Sequence, residues 1–148
     1  MESVTQFSIF LPNKPGVLAQ VSRQLAQAKV NVIAMTMMDS SEHGVLRLVV
    51  SDAPRLHAAL TPLNLPMTET DVLLLEMSNR PGALAEVCGR LAEAHVNISY
   101  AYVTTGTQGG RTKGIFKVAD TRKAMKVLKK PAGRGRENHK LRRPMVLR

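Results

Sequence analysis

The chain has 148 residues, of which 44% are apolar and 22% charged, a composition typical of a globular protein with a packed core. No run approaches the roughly 20 apolar residues that a membrane helix needs, and the acidic Glu2 stands where a secretory signal would carry Lys or Arg. We therefore expect a cytoplasmic protein that contacts no membrane. The single cysteine, Cys88, excludes an internal disulfide and a cysteine-rich metal site.

The positive charge of the chain is concentrated towards its C-terminal end. The 21 Lys+Arg and 11 Asp+Glu give a net charge of +10, but residues 1–110 carry 7 basic against 9 acidic side chains and residues 111–148 carry 14 against 2. A nucleic-acid-binding protein usually places its cations on the folded surface that follows the phosphates. We expect instead a near-neutral body and a basic tail over residues 131–148, which either is solvated, forms a last strand or contacts an acidic partner.

The sequence contains an internal duplication. Residues 13–21 (NKPGVLAQV) return 66 positions later as residues 79–87 (NRPGALAEV), and the match continues to Asn31 and Asn97. A repeat of this length predicts two copies of one structural unit. We place the first module at residues 1–70 and the second at residues 71–130, followed by the tail at 131–148.

Each copy predicts a strand, a helix, two strands and a second helix, in that order. In chain order we expect strands at 4–10 and 72–77, helices that start at Pro15 and Pro81, strands at 31–39 and 97–105, turns at 40–44 and 106–110, strands at 45–50 and 114–118, and short helices at 54–60 and 121–128. Asp52 and Asp120 are expected to cap the short helices.

The closing strand differs between the two copies. In the first copy it fits residues 65–70 and runs without interruption into the first strand of the second copy, so we expect the chain to pass from one sheet almost directly into the next. In the second copy the best candidate is 144–147. Because a 60-residue unit buries only about 60% of its unfolded surface, we expect two such modules to pack against one another or against another molecule.

The repeated pattern of a strand, an Asn-x-Pro-Gly turn, an amphipathic helix and an Asn at the head of the next strand resembles an ACT domain, the small ferredoxin-like βαββαβ module that commonly senses amino acids. The resemblance covers about residues 3–130 and extends to the small tandem-ACT proteins with no attached enzyme. It implies an α+β fold of two ferredoxin-like modules in tandem, with antiparallel sheets, helices on one face and a homodimeric assembly.

The resemblance also implies an amino-acid effector at interfaces between modules, with no cofactor. The ligand-binding residues that it implies are Asn13, Lys14, Pro15, Gly16, Val17, Leu18 and Asn31 in the first copy, and Asn79, Arg80, Pro81, Gly82, Ala83, Leu84 and Asn97 in the second. Physical chemistry independently favours these turns. A helix N-terminus offers unpaired N–H groups to a carboxylate, glycine lets a ligand approach, and Asn can bind both ends of an amino acid.

Structural roles for the same residues are the alternative. Asn13 and Asn79 would form Asx-type turns that fix the backbone where each helix begins. Asn31 and Asn97 would tolerate a left-handed conformation where each helix ends, and the two glycines would allow close helix packing. Tyr100 and Tyr102 share one face of a strand, where they line a pocket or cover core. We expect Met35, Met37 and Met38 to pack inside the sheet, since Met fills irregular gaps.

The sequence predicts no active site and no metal site, so we expect a protein that is not an enzyme. Cys88 and His95 lie roughly 10.5 Å apart along a helix, which is too far for a nucleophile and its base. His43, His57, His95 and His139 show no metal-ligand spacing. Two other functions remain as alternatives: a regulatory subunit that docks a metabolic enzyme through its basic tail, and RNA binding, which the scarcity of sheet aromatics disfavours.

Overall fold

The computed structural model describes residues 1–39, 43–104 and 106–131. The elements are β1 (Glu2–Pro12), α1 (Val17–Gln27), β2 (Val32–Met38), β3 (His43–Val50), α2 (Ala53–Leu60), a single 3-10 turn (Thr61–Leu63), β4 (Met67–Ser78), α3 (Ala83–Glu93), β5 (Ile98–Val103), β6 (Arg111–Val118) and α4 (Thr121–Lys129). This order confirms the predicted succession of elements in both copies, and Asp52 and Asp120 accept hydrogen bonds from the first turns of α2 and α4 as predicted.

All six strands form one antiparallel sheet in the order β2-β3-β1-β4-β6-β5, rather than two successive sheets. Strand β4 joins the halves, because its first part pairs with β1 from Ile9↔Met67 to Glu2↔Leu74 and its last part pairs with β6. No Pro or Gly interrupts β4, so nothing in its sequence ends the strand between the two modules. The division that we predict at residue 70 falls inside this strand.

Strands β1 and β4 are related by the repeat itself. Thr5 pairs with Asp71, the residue 66 positions later that is its own counterpart. Each module therefore takes its closing strand from the other. The beginning of β4 lies beside β1 and closes the first module, and the beginning of β1 lies beside β4 and closes the second. The predicted strand at 144–147 lies outside the described residues, but the sheet position expected for it beside β4 is held by residues 2–5.

Two apolar cores lie between the sheet and the helices, on the same face of the sheet. Alternate residues of the strands face the helices, as the two-residue period requires. The first core contains Phe7, Ile9, Val21, Leu25, Leu46, Leu48 and Leu56, and the second contains Leu73, Leu91, Val96, Phe116, Val118 and Ala124. The α+β fold with helices on one face is thus confirmed. Within the described part of the chain no helix is long and apolar enough to cross a bilayer.

On the face of the sheet without helices, side chains of β1 and β3 contact side chains of β5 in the other half, so the sheet is curved. Gln6 of β1 is fully buried, its Nε2 donates to the Tyr100 hydroxyl at 2.7 Å, and its Oε1 accepts from the Tyr102 hydroxyl at 2.9 Å. Arg47 of β3 stacks over the ring of Tyr100, with its guanidinium carbon 4.0 Å from the ring centroid. Both tyrosines are half-buried. Tyr102 packs against a third cluster that contains Val49, Val72, Leu74 and Ile115, so it covers core rather than lining a pocket.

Two local predictions are wrong. Pro15 and Pro81 are not the first helical residues, because Gly16 and Gly82 follow them in a left-handed conformation and the helices begin only after the glycines. The methionines of β2 are not packed inside the sheet. They lie on an edge strand, where Met35, Met37 and Met38 are 49%, 44% and 50% exposed.

Candidate functional site

The turns that precede α1 and α3 have the same backbone geometry. Gly16 and Gly82 both have φ 88° and occupy the N-cap position of their helices. A Cβ built on Gly16 would meet no described atom within 4 Å, and one on Gly82 would meet only the Arg80 guanidinium, 3.6 Å from Nη1. Close helix packing is therefore not the reason for these glycines. The positive φ requires them, and the space beside them is open.

These turns, which we call the first corner (residues 13–18) and the second corner (residues 79–84), present helix N-termini without a capping side chain. Glycine has no side chain, so the N–H groups of the first turn receive no oxygen from the N-cap residue. The backbone ladder starts when Gln20 donates to the Gly16 carbonyl at 2.9 Å and Glu86 to the Gly82 carbonyl at 2.9 Å. Each corner therefore offers backbone donors and a partial positive charge to an anion.

The two corners differ in charge. In the second corner, Arg80 donates to Glu86 Oε1 at 2.7 Å and to the Pro81 carbonyl at 3.2 Å, which brings a carboxylate of the chain itself to the first turn of α3. In the first corner, Lys14 replaces the arginine and the neutral Gln20 replaces the glutamate. Among the described residues Lys14 takes part in no ion pair, so the first corner has an unpaired cation, and the acid that reaches this corner is Asp39, through Asn13.

The asparagine at the start of each corner holds the turn in place. Asn79 Nδ2 donates to the carbonyls of Gly106 and Thr107 at 2.9 and 3.1 Å, which ties the second corner to the β5–β6 loop. Asn13 Nδ2 donates to Asp39 Oδ1, at the end of β2, at 3.4 Å. The structural alternative is therefore supported for Asn79, whose amide donors are both used, while its Oδ1 has no partner among those bonds.

Asn31 and Asn97 lie at the far ends of α1 and α3. An 11-residue helix separates each asparagine from the corner of its own module by about 16 Å. Both asparagines are exposed, and Asn31 accepts through its carbonyl from the backbone of Ser51. The left-handed helix exits are Lys29 and His95, with φ of 56° and 53°, so the alternative that gave this conformation to the asparagines is wrong.

One chain consequently does not bring all the predicted ligand-binding residues together. The corners gather Asn13, Lys14, Pro15, Gly16, Val17 and Leu18 in the first module, and Asn79, Arg80, Pro81, Gly82, Ala83 and Leu84 in the second. Asn31 and Asn97 stand apart from both groups. Glu86 was not among the predicted site residues, although the sequence shows an acid at this position of the repeat where the first copy has Gln20.

An apolar groove begins at Leu18 of the first corner. A groove of about 150 Å³ lies between α1 and the sheet and is lined by Leu18, Val21, Ser22, Leu25, Ala26, Val30, Val32, Met35, Leu46 and Leu48. The exposed Met37 and Met38 extend this surface along β2. Beside the second corner, a cavity of about 140 Å³ has a more charged lining that includes Glu76, Arg80, Glu86 and Arg90. The first module thus combines a charged corner with an apolar edge.

The site contains no arrangement typical of metal binding. Over residues 1–39, 43–104 and 106–131, no three side chains of the His, Cys, Asp and Glu types are placed to hold an ion together. His139 lies outside this part of the chain. Cys88 is half-buried against the second core, at the position of Ser22 in the first copy.

The fold and the paired corners define a class of protein built from a duplicated ferredoxin-like module. The chain belongs to the ACT domain pair family, whose model matches residues 2–133. Its fold resembles that of protein BT0572 from Bacteroides thetaiotaomicron with a TM-score of 0.80 and 33% sequence identity, over 86% of this chain and 87% of that one.

Two more distant structures share the fold. They are the regulatory subunits of aspartate kinase from Thermus thermophilus and Thermus flavus, with TM-scores of 0.65 and 0.60 and identities of 16% and 19%. Both similarities cover 86% of this chain, and they cover 95% and 91% of the respective subunits. No protein with a curated description matches this sequence.

Proposed function

We propose that this protein is a regulatory sensor that binds a free amino acid at an interface between ACT modules. The observation that carries the proposal is the first corner: an uncapped helix N-terminus beside open space, with Lys14 near it and no acid in the first turn of α1. The ligand's carboxylate would accept from the N–H groups of this turn. A role in sensing free metabolites agrees with the cytoplasmic location that we expect.

A second copy of the chain would complete the site. Strand β2 is an edge of the sheet, and beside it Leu18, Val32 and Met35 are 36%, 37% and 49% exposed. If two copies pair along this edge about a two-fold axis, their α1 helices run antiparallel, and the end of one lies near the start of the other. The partner subunit's Asn31 would then approach the first corner, where its amide oxygen can accept from the ligand's ammonium group.

The strength of such a site suits a sensor. Charge-assisted hydrogen bonds contribute roughly 1.5 to 3 kcal/mol each. Two or three of them, less the cost of association, give a dissociation constant of about micromolar to millimolar. Because the ligand would contact both copies, it would favour the paired arrangement over the separated one, which is the differential affinity that regulation requires.

Calorimetry with each of the twenty amino acids tests the proposal. We expect heat from one or a few of them, and we expect Lys14→Ala and Asn31→Ala each to weaken binding by about tenfold, the loss of one charge-assisted contact. The matched variants Arg80→Ala and Asn97→Ala, at the same positions of the second module, should change binding by less than about twofold. Absence of heat from all twenty, or equal effects of the two pairs, would contradict the proposal.

The pairing edge has its own test. Met35→Glu places a charge at the proposed contact and should convert a dimer to a monomer in light scattering, with loss of the amino-acid heat. Val103→Glu is the control, because Val103 is 51% exposed on β5, the opposite edge of the same sheet. A dimer that survives Met35→Glu but not Val103→Glu would show that the other edge pairs.

The alternative of a regulatory subunit that docks a metabolic enzyme through its basic tail concerns residues 131–148. All of these except Pro131 lie outside the described residues. RNA binding gains no support from the described sheet, because Phe116 is fully buried on the helix side and both tyrosines are bound to Gln6.

A further inference from the structure

Helix α4 carries the densest positive charge of the described surface. Its exposed cations and the one that follows it form what we call the α4 basic face: Arg122, Lys123, Lys126, Lys129 and Lys130. None of the three ion pairs in the described part of the chain involves any of these side chains. The N-cap Asp120 is the acid next to them in sequence, and it forms no ion pair with any of the five cations.

The first module shows that the fold does not need this charge. Helix α2 is the repeat counterpart of α4, since both follow a capping aspartate, Asp52 or Asp120. The residues of the α2 region that correspond to the basic face are Pro54, Arg55, Ala58, Thr61 and Pro62. Only Arg55 is charged, and its Nε lies 3.6 Å from Asp52 Oδ2. The two modules share the helix, and only one of them carries the cations.

Helix stability explains only part of the pattern. Lys126 and Lys129 lie in the last turn of α4, where a cation interacts favourably with the helix dipole. Arg122 and Lys123 lie in the first turn, where the dipole disfavours a cation, and the N-cap Asp120 bonds to the Lys123 backbone N–H without forming an ion pair with either side chain. Binding of a negatively charged partner accounts better for cations along the whole length of α4.

The basic face is held on a fixed support. Ala124 is fully buried against the second core, and Met125 and Leu128 pack beside it. Arg90 of α3 donates to the Val127 carbonyl at 2.6 Å and also to the Lys130 carbonyl, which fixes the end of the helix. A partner that binds here therefore meets cations whose backbone positions are already set, so less conformational entropy is lost on association.

We propose that the α4 basic face docks an acidic segment of another protein, with Asp and Glu side chains against the five cations. A membrane fits poorly, since α4 exposes no large apolar side chain for insertion. A nucleic acid fits poorly as well, because the face spans only about 12 Å of helix and offers no aromatic side chain for stacking.

Fluorescence anisotropy with labelled poly-L-glutamate on the full chain tests this inference. Lys123→Gln, Lys126→Gln and Lys129→Gln together should weaken binding by about tenfold, because each exposed charge contact contributes about 0.5 kcal/mol. The matched variant, with Arg23→Gln, Arg55→Gln and Lys113→Gln, removes the same charge from other surfaces and should weaken binding by less than about threefold. Gln retains the helix propensity of Lys, and circular dichroism checks that both variants fold.

Equal weakening by the two variants would overturn the proposal, because net charge alone would then explain the binding. Tighter binding of poly(U) or duplex DNA than of poly-L-glutamate at the same salt concentration would overturn it too and identify a nucleic-acid surface. The inference is independent of amino-acid binding, since no residue of the basic face lies in either corner. Failure in the anisotropy assay therefore leaves the calorimetric test of the sensor untouched.

Discussion

Gln6 and Tyr102, which are 96 positions apart in the sequence, are joined by a hydrogen bond of 2.9 Å from the tyrosine hydroxyl to Gln6 Oε1. The other end of the same amide donates to Tyr100 at 2.7 Å. One fully buried side chain of the first module thus has both of its polar atoms satisfied by the second module. Because an unsatisfied buried amide is costly, this pair of contacts favours one arrangement of the two halves over others that would bury the same apolar surface.

Tyr102→Phe should destabilise the protein by about 1–3 kcal/mol, because it removes the donor to Gln6 Oε1 and leaves a buried acceptor unpaired. Urea unfolding measures the change. Ser8→Ala is the control, since the contact from Gln6 Nε2 to Ser8 Oγ is long, at 3.4 Å, and its loss should cost less than about 0.5 kcal/mol. Equal stability of Tyr102→Phe and the natural protein would mean that the curved sheet holds without this bond.

The ionisation of Tyr102 should make stability depend on alkaline pH. Burial raises the pKa of its hydroxyl well above the usual range and Tyr100 adds to the shift, while Arg47 lowers the pKa by a smaller amount. Because the pKa of Tyr102 is raised in the folded state, its hydroxyl contributes fully to stability below the pKa of the unfolded state, about 10. This contribution is lost as the pH rises further. The unfolding free energy should fall less with rising pH in Tyr102→Phe than in the natural protein, when both are measured below and above that pH. An equal fall in the two proteins would refute the effect.

The local structure of each module could be predicted from the sequence because it depends on local signals. The Asn-x-Pro-Gly turn, the spacing of Val21 and Leu25, and the capping aspartates fix the elements without long-range information. The repeat supplied a second, independent copy of these signals. It also predicted the two glycine turns, where Gly16 and Gly82 adopt the same left-handed conformation.

The arrangement of the modules could not be predicted in this way. Whether one strand continues through residue 70 depends on the pairing partners of both halves, and those are set by the whole sheet. The position of Met35 on an edge strand likewise follows from the strand order, which the two-residue period does not contain. Gln6 gave no signal, because a lone glutamine in a strand looks like a solvent-facing residue until its partners in β5 are known.

Gly16 and Gly89 form a natural comparison of backbone conformation, since neither has a described atom within 4 Å of an added Cβ. Gly16 has φ 88°, so Gly16→Ala should cost about 1–2 kcal/mol of stability. Gly89 lies inside α3, so Gly89→Ala should stabilise the protein by up to about 1 kcal/mol. Thermal unfolding of the two variants checks the opposite signs, and a stabilising Gly16→Ala would show that the turn relaxes to a right-handed conformation.

The ion pair of the second corner leads to a prediction that rests on the proposed amino-acid site. Glu86 places a carboxylate beside Arg80 and the first turn of α3, where a ligand's carboxylate would otherwise bind. Glu86→Gln reproduces the residue found at Gln20 in the first corner and should free both the arginine and the helix N-terminus. Calorimetry of this variant should then show a second, weaker binding event, because the second corner gains its backbone donors but receives no partner asparagine when the copies pair along β2.

Gln20→Glu is the reciprocal test. It puts an acid near Lys14 and should reduce the affinity of the first corner by about fivefold or more, since a like charge near the ligand costs about 1 kcal/mol. Unchanged binding in both variants would mean that the charge of the first turn does not decide which corner is used.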